Sequence, residues 1–310
     1  MARVSAAPPL RNDILRGIFF MCLASSVFPV MNALVKVLSD DYPTTEIVWA
    51  RVLGHLIFIT LLFSRQGVVR LYRTRAPKLQ FFRSVFALGS NVLYFWALAF
   101  LPLADMAAIS FTSPFVVAAL SVPMLGEQVG WRRWTAIGIG FLGALLIIRP
   151  GSDAFHWAAL LVVGSSVCYA VYQILTRKVA GTDPPETSAA FHPMVGTVLL
   201  SLAVPFVWVT PKSFVDLGIF CVLGVLGGIG HYCVARALMW APASVVSPFN
   251  YVQLIGSTVF GIMLFGDFPT AWTFAGALVI VASGLYIAIR ERKLDPDNAI
   301  KATSPPGGAT

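Results

Sequence analysis

The chain has 310 residues, of which 57% are hydrophobic and only 12% are charged, and its formal net charge is +8. A soluble domain has about 25% charged residues, so this chain has too few of them to cover soluble domains of its length. The composition therefore predicts an integral membrane protein.

Hydrophobic segments follow one another along the chain, each near the length of about 20 residues that a helix needs to cross a bilayer. Short breaks such as DDYP and TDPPE separate them. They do not alternate between polar and apolar residues, as strands of a membrane barrel do. We predict an all-α, polytopic membrane protein with ten transmembrane helices, near residues 14–38, 45–63, 79–101, 104–124, 131–149, 155–178, 186–210, 213–240, 243–265 and 271–290.

The basic residues are distributed unevenly between the two sides of these helices. With the N-terminus inside, 17 of the 22 Lys and Arg residues fall on the inner side, and only Lys36, Arg149 and Lys212 fall outside. Arg51 and Arg236 lie within helices. The positive-inside rule then predicts a multi-pass protein of the inner membrane with both termini in the cytoplasm. It also explains the positive charge without a nucleic-acid partner.

An internal repeat emerges when the chain is shifted against itself by 140 positions. The sequence LPLADMAA at 101–108 then aligns with APASVVSP at 241–248, and GE at 126–127 aligns with GD at 266–267. Each half holds five predicted helices, and an odd number places the halves in opposite orientations, as in secondary transporters. We predict a cytoplasmic N-terminus at 1–13, inverted five-helix repeats at 14–150 and 151–293, and a disordered cytoplasmic tail at 294–310.

Enzyme and cofactor motifs are almost absent from the sequence. No P-loop and no HExxH motif occurs, and the four histidines are scattered along the chain. The sequence GIGFLG at 138–143 matches a dinucleotide fingerprint, but it lies inside a predicted helix. There, and in GVLGG at 224–228, small residues are expected to let helices approach closely. We predict no enzymatic activity, no metal and no cofactor.

Two segments resemble the EamA branch of the drug/metabolite transporter superfamily. They begin with ALAFLPLADMAA at 97–108 and RALMWAPASVVS at 236–247, each an Ala-Leu pair before a turn that contains proline. The resemblance covers roughly residues 14 to 292. It implies ten helices in inverted repeats and alternating access around a central cavity, without ATP hydrolysis. The family includes amino-acid and metabolite exporters, and the chain is similar to the aromatic amino-acid exporters among them.

Polar residues recur on one face of several predicted helices. Asn250, Gln253 and Ser257 share a stripe, and Pro248 should loosen the start of their helix because it lacks an N–H. Such groups are costly in hydrocarbon unless they line a solvated cavity or bond between helices, and both interpretations stay open. The candidate residues of a substrate cavity are Arg51, Asn91, Tyr94, Ser110, Ser113, Tyr169, Tyr172, His231, Asn250 and Gln253.

Two candidates have further alternatives. Arg51 could bind an anionic group of a substrate, pair with Glu46, or extend to the membrane interface. His231 could exchange a proton, which would allow proton coupling, or act as a neutral hydrogen-bonding group.

The sequence as a whole predicts a secondary transporter that moves amino acids or similar small metabolites across the lipid bilayer as an exporter. Its partners would be a small-molecule substrate and the lipids. The alternative is an uptake carrier for a vitamin-like or nucleotide-like metabolite. A non-transporting scaffold or a membrane enzyme would be a different class; an enzyme should bring catalytic side chains together.

Overall fold

A computed structural model of the chain describes residues 14–125, 131–150, 155–241 and 246–294, and every regular element in these ranges is helical. The predicted cytoplasmic N-terminus at 1–13 and nearly all of the predicted tail lie outside the described residues. The α-helices are α1 Ile14–Leu38, α2 Thr44–Phe63, α3 Val68–Leu71, α4 Pro77–Leu98, α5 Leu103–Ser110, α6 Ser113–Leu125, α7 Trp131–Ile148, α8 Ala158–Ala180, α9 Pro185–Ser201, α10 Phe214–Trp240, α11 Val252–Phe265 and α12 Ala271–Leu294.

Local sequence explains where several of these helices begin and end. Pro77 and Pro185 open α4 and α9, where the N–H that proline lacks would have no partner. The Ser213 side chain accepts a hydrogen bond from the backbone N–H of Asp216 and so caps α10. Gly266 ends α11 in the left-handed conformation, with φ of +67°, which glycine adopts without strain.

Five helices are long and apolar enough to cross a membrane: α1, α2, α4, α8 and α10. Shorter apolar helices occur at 103–117, 134–148, 249–265 and 271–286. The described chain is thus a multi-span helical protein, but several of its helices are shorter than the segments that we predict from sequence. The segment predicted at 186–210, for example, ends as an α-helix at Ser201, and Pro205 lies in the 3-10 turn Val204–Phe206 that follows.

The helix predicted at 104–124 is discontinuous. It consists of α5 and α6, which are separated by a turn at Phe111 and Thr112. Pro114 follows the turn and has no N–H to donate to the carbonyl group of Ser110, so the helical hydrogen-bond pattern is weakened where the turn occurs. The prediction of one continuous helix is wrong at this point.

The second half has a comparable irregularity 140 residues later. A 3-10 helix, Ser247–Tyr251, precedes α11, and Pro248 lies in its first turn. The sequence predicts that Pro248 loosens the start of this helix. The backbone there departs from the α-helix, but it forms a 3-10 helix, which is wound more tightly. Position 111 in the first break corresponds to position 251 in the second.

The helices pack in pairs that relate the two predicted halves. Contacts are extensive between α1 and α10 and between α4 and α8, and each of these pairs maps onto the other when 140 is added to or subtracted from the residue numbers. The pairs α2–α9 and α7–α12 map onto themselves. The buried core therefore lies largely between the halves.

Glycines allow the closest helix approaches, as predicted. A Cβ on Gly224 in α10 would lie 2.5 Å from the Cα of Gly54 in α2, and one on Gly143 in α7 would lie 2.9 Å from the carbonyl oxygen of Gly276 in α12. Both predicted glycine segments thus serve helix packing.

Candidate functional site

A cavity lies between the halves, next to the two helix irregularities. It encloses about 700 Å³ of space, including the part that is open to solvent. Seven helices (α1, α4, α5, α6, α8, α10 and α11) and the 3-10 helix before α11 contribute to its wall. The lining residues are Phe28, Met31, Asn32, Ser90, Asn91, Tyr94, Phe95, Ser110, Phe111, Ser113, Pro114, Ser165, Ser166, Tyr169, His231, Asn250 and Gln253.

Eight of the ten candidate residues line this cavity, and the exceptions are Arg51 and Tyr172. Asn250 and Gln253 come from the second irregular helix, and Ser110 and Ser113, their equivalents at the 140-residue offset, come from the first. The side-chain oxygen of Asn250 accepts a hydrogen bond from the Ser25 hydroxyl at 3.2 Å.

Aromatic rings form much of the remaining wall. Phe111 and Tyr251 occupy equivalent positions in the halves, and their rings meet edge to face with centroids 4.8 Å apart. Tyr169 stacks on Tyr172 at 5.6 Å. The Asn32 amide donates to the Tyr94 hydroxyl at 3.4 Å. The cavity therefore offers flat apolar surfaces together with amide and hydroxyl groups.

Some cavity residues were missed because their sequence signal is weak. Ser90 and Ser165 join α4 and α8: the Ser165 hydroxyl lies 3.0 Å from the Ser90 hydroxyl and donates to the Ser90 carbonyl oxygen at 2.8 Å. A lone serine in an apolar helix does not indicate which way it faces. Ser165 does share a helix face with Tyr169 and Tyr172, whereas only the packing of α4 on α8 identifies Ser90 as a wall residue.

Arg51 lies behind the cavity wall, fully buried. Its Nη2 donates to Asn91 Oδ1 at 3.2 Å and to His231 Nε2 at 3.0 Å. Burial excludes an extension to the interface, and Arg51 forms no ion pair with a carboxylate of the described residues. Glu46 instead accepts a hydrogen bond from the Val209 N–H at 2.9 Å. Two of the three interpretations of Arg51 are therefore wrong for this conformation.

The contact with Arg51 also determines the protonation of His231. A guanidinium can only donate, so Nε2 of His231 must accept and carries no proton. The proton of the neutral ring is then on Nδ1, which lies 3.4 Å from the Tyr172 hydroxyl. His231 is a neutral hydrogen-bonding group here, which agrees with one of its two interpretations.

Three histidines that are scattered in sequence meet next to Arg51. The ring centroids of His192 and His231 are 4.7 Å apart, and His55 lies 5.8 Å from His192 and 5.9 Å from His231. We name Arg51, His55, His192 and His231 the Arg–His cluster. These histidines are far apart in the sequence, but α2, α9 and α10 converge here and bring them together. The described residues contain no group that could hold a metal ion.

A polar network lies on the predicted cytoplasmic side of the cluster. Arg83 in α4 donates from Nη2 to the Ser188 carbonyl oxygen at 2.6 Å and from Nε to Gln80 Oε1 at 3.3 Å. The Gln80 amide donates to Asp183 at 3.0 Å. These contacts join the start of α4 to the α8–α9 connection and so hold the two halves together at one end.

Comparisons with known proteins agree with the geometry. The chain is 28% identical to a riboflavin transporter of Vibrio cholerae over 92% of its own length and 96% of that protein. It is 31% identical to the pseudopaline exporter CntI of Pseudomonas aeruginosa, over 87% of this chain and 95% of that one. An S-adenosylmethionine uptake transporter of Rickettsia prowazekii is 24% identical over 91% and 97% of the two chains. By name, none of these three is an amino-acid exporter, so they do not show the predicted likeness to that group.

The fold is also found among solved structures. One crystal structure superimposes with a TM-score of 0.67 at 18% identity and covers 92% of this chain and 99% of its own, which shows a shared fold. The model of the EamA-like transporter family matches residues 15–149 and again residues 156–289. The chain therefore belongs to the EamA-like transporter family.

Proposed function

We propose that this protein is a secondary transporter that moves a small metabolite across the bacterial inner membrane by alternating access. The observation that carries the proposal is the cavity at the irregular starts of two helices, which is lined by Ser110 and Ser113 from the first half and by Asn250 and Gln253 from the second. Binding sites of secondary transporters are typically formed by discontinuous helices where two repeats meet.

The packing supports the predicted inverted repeat, which alternating access requires. The main helix pairs recur at the 140-residue offset or map onto themselves, and Phe111 contacts its equivalent Tyr251. A residue that touches its own equivalent lies on or near an axis relating the two halves. The two separate matches to one family model agree with the same duplication.

The substrate that we favour is an amino acid or a metabolite of similar size, exported from the cell. Amide and hydroxyl groups beside aromatic surfaces suit a molecule with a polar end and a flat apolar part. A vitamin-like substrate taken up from outside is the second candidate. It is favoured by the riboflavin transporters of Vibrio cholerae and Rhizobium johnstonii, which are 28% and 29% identical to this chain over 92% and 89% of its length.

A flux measurement in proteoliposomes tests the proposal. The panel contains amino acids, riboflavin, flavin mononucleotide and S-adenosylmethionine, each measured in both directions with and without a pH gradient. We expect saturable flux of at least one compound, and a response to the gradient would indicate proton coupling. Flux no greater than in empty liposomes for the whole panel would contradict the proposal and favour a non-transporting scaffold.

Replacing Asn250 or Gln253 with leucine tests the cavity itself. Leucine is favourable in a membrane helix, so insertion should be normal, while loss of one hydrogen bond to substrate should reduce the transport rate about tenfold. The exposed Ser26 on α1 provides a matched control, since Ser26→Leu makes a comparable change away from the cavity. Full activity in the double variant Asn250→Leu and Gln253→Leu would remove both residues from the site.

A further inference from the structure

The Arg–His cluster contains buried hydrogen-bonding groups that the cavity wall does not use. Arg51 makes both of its hydrogen bonds through Nη2, and Nε and Nη1 have no acceptor among the described residues. Both ring nitrogens of His55 and of His192 also have no hydrogen-bond partner there. A neutral histidine has one N–H, so the cluster has at least four donor atoms without an acceptor. Most buried polar groups in proteins are satisfied, so this concentration is unusual.

The cluster is also positively charged without a nearby counter-charge. Among the described residues no carboxylate pairs with Arg51. Arg83 adds a second positive charge beside Tyr172, with its guanidinium carbon 5.2 Å from the ring centre, but Gln80 links Arg83 to the carboxylate of Asp183. The Phe95 ring, 5.4 Å from the guanidinium of Arg51, offers only a weak compensating attraction. Burying an unpaired charge is costly, so an anion next to Arg51 would be strongly favoured.

The cluster and the cavity share part of a wall. Asn91 and His231 both line the cavity, and both hold Nη2 of Arg51 on their other side. An anionic group of a molecule in the cavity would therefore compete with Asn91 and His231 for the guanidinium. Guanidinium groups bind carboxylates and phosphates well because their N–H donors match the spacing of the oxygens.

From this geometry we propose that the Arg–His cluster is an anion-binding subsite of the cavity, and that it takes a carboxylate or a phosphate through Arg51. This inference rests on the proposed function where the anion is part of the substrate. The same chemistry would also bind free inorganic phosphate.

Two substitutions test the missing counter-charge without knowledge of the substrate. The full-length protein is purified in detergent, and its Tm is measured. We expect Arg51→Gln to leave the Tm unchanged or raise it, because it removes an uncompensated charge. Asn91→Asp should raise the Tm, because it supplies a carboxylate 3.2 Å from Nη2. Arg65→Gln removes a charge from an exposed position and is the control. A fall in Tm in both cluster variants would overturn the proposal.

Three pairs of probes test binding. The pairs are L-phenylalanine against its amide, flavin mononucleotide against riboflavin, and sodium phosphate against sodium chloride at equal ionic strength. We expect the first member of at least one pair to raise the wild-type Tm more than its partner does, and Arg51→Gln to abolish the difference. A response to an organic anion identifies a substrate group, and a response to phosphate alone identifies a free ion. A difference that persists in Arg51→Gln, or no difference in any pair, would overturn the proposal.

Flux measurements separate this proposal from the transport function. If the wild-type protein and Arg51→Gln each transport the charged and the neutral member of a probe pair at equal rates, the proposed transport function stands and the anion-binding subsite is refuted. Conversely, an anion-dependent Tm that requires Arg51, in a protein that transports nothing, would support the subsite and contradict the proposed function.

Discussion

Two buried arginines show how a side chain's partners determine its role. Arg83 and Arg51 both have at most 1% of their surface exposed. Arg83 donates to Gln80 and to the Ser188 carbonyl oxygen, and Gln80 links it to Asp183. Arg51 has no comparable connection to a carboxylate among the described residues. Nη1 of Arg83 and both Nε and Nη1 of Arg51 have no acceptor among the described residues, so the connection to a carboxylate is what distinguishes the two arginines. The first is therefore a structural tie between the halves, and the second is a charge without a linked carboxylate.

This contrast predicts opposite effects of the same substitution. Arg83→Gln should lower the free energy of unfolding by about 2 kcal/mol, because hydrogen bonds from a charged donor to Gln80 and Ser188 are lost. The measurement is unfolding of the purified protein in a mixed detergent series, next to Arg51→Gln. Equal destabilisation by the two substitutions would show that their different partners do not matter.

At the scale of the helices, glycine spacing and helix breaks determine where the cavity forms. Gly54 and Gly224 bring α2 and α10 into backbone contact, which places Arg51 and His55 beside His231. The irregular starts of the two discontinuous helices then leave room on the other side of His231. The close contact and the cavity are thus two consequences of how these helices cross.

A methyl group on Gly224 tests this close contact. Gly224→Ala would place a Cβ 2.5 Å from the backbone of α2, so we expect it to cost about 1–3 kcal/mol and to separate the helices. Gly218→Ala on the same helix is the matched control, since a Cβ there meets nothing within 4 Å. Unfolding in mixed detergent would compare them. A Gly224→Ala variant as stable as Gly218→Ala would refute the close packing.

For the whole molecule, sequence predicted the helical membrane class, the family and eight of the residues that line the cavity. The family followed from the resemblance of two segments. Composition and periodicity carry the rest of that information, because a polar stripe on an apolar helix must face something polar. Sequence did not predict that His55, His192 and His231 meet, since they lie on three helices with no shared spacing. It also did not predict the break at Phe111, where one proline and the surrounding packing decide the local backbone.

The inverted repeat and the cytoplasmic termini remain predictions for the whole molecule, and the orientation can be measured. In a background with the four native cysteines replaced by alanine, Ser64→Cys and Thr210→Cys each place one thiol at an exposed position. The positive-inside rule puts position 64 in the cytoplasm and position 210 outside. An impermeant maleimide added to intact cells should therefore label Thr210→Cys and should label Ser64→Cys only after the membrane is permeabilised. Labelling in the reverse order would show that the protein has the opposite orientation, with the Arg83 network on the outer side. It would contradict the distribution of basic residues on which the predicted orientation is based.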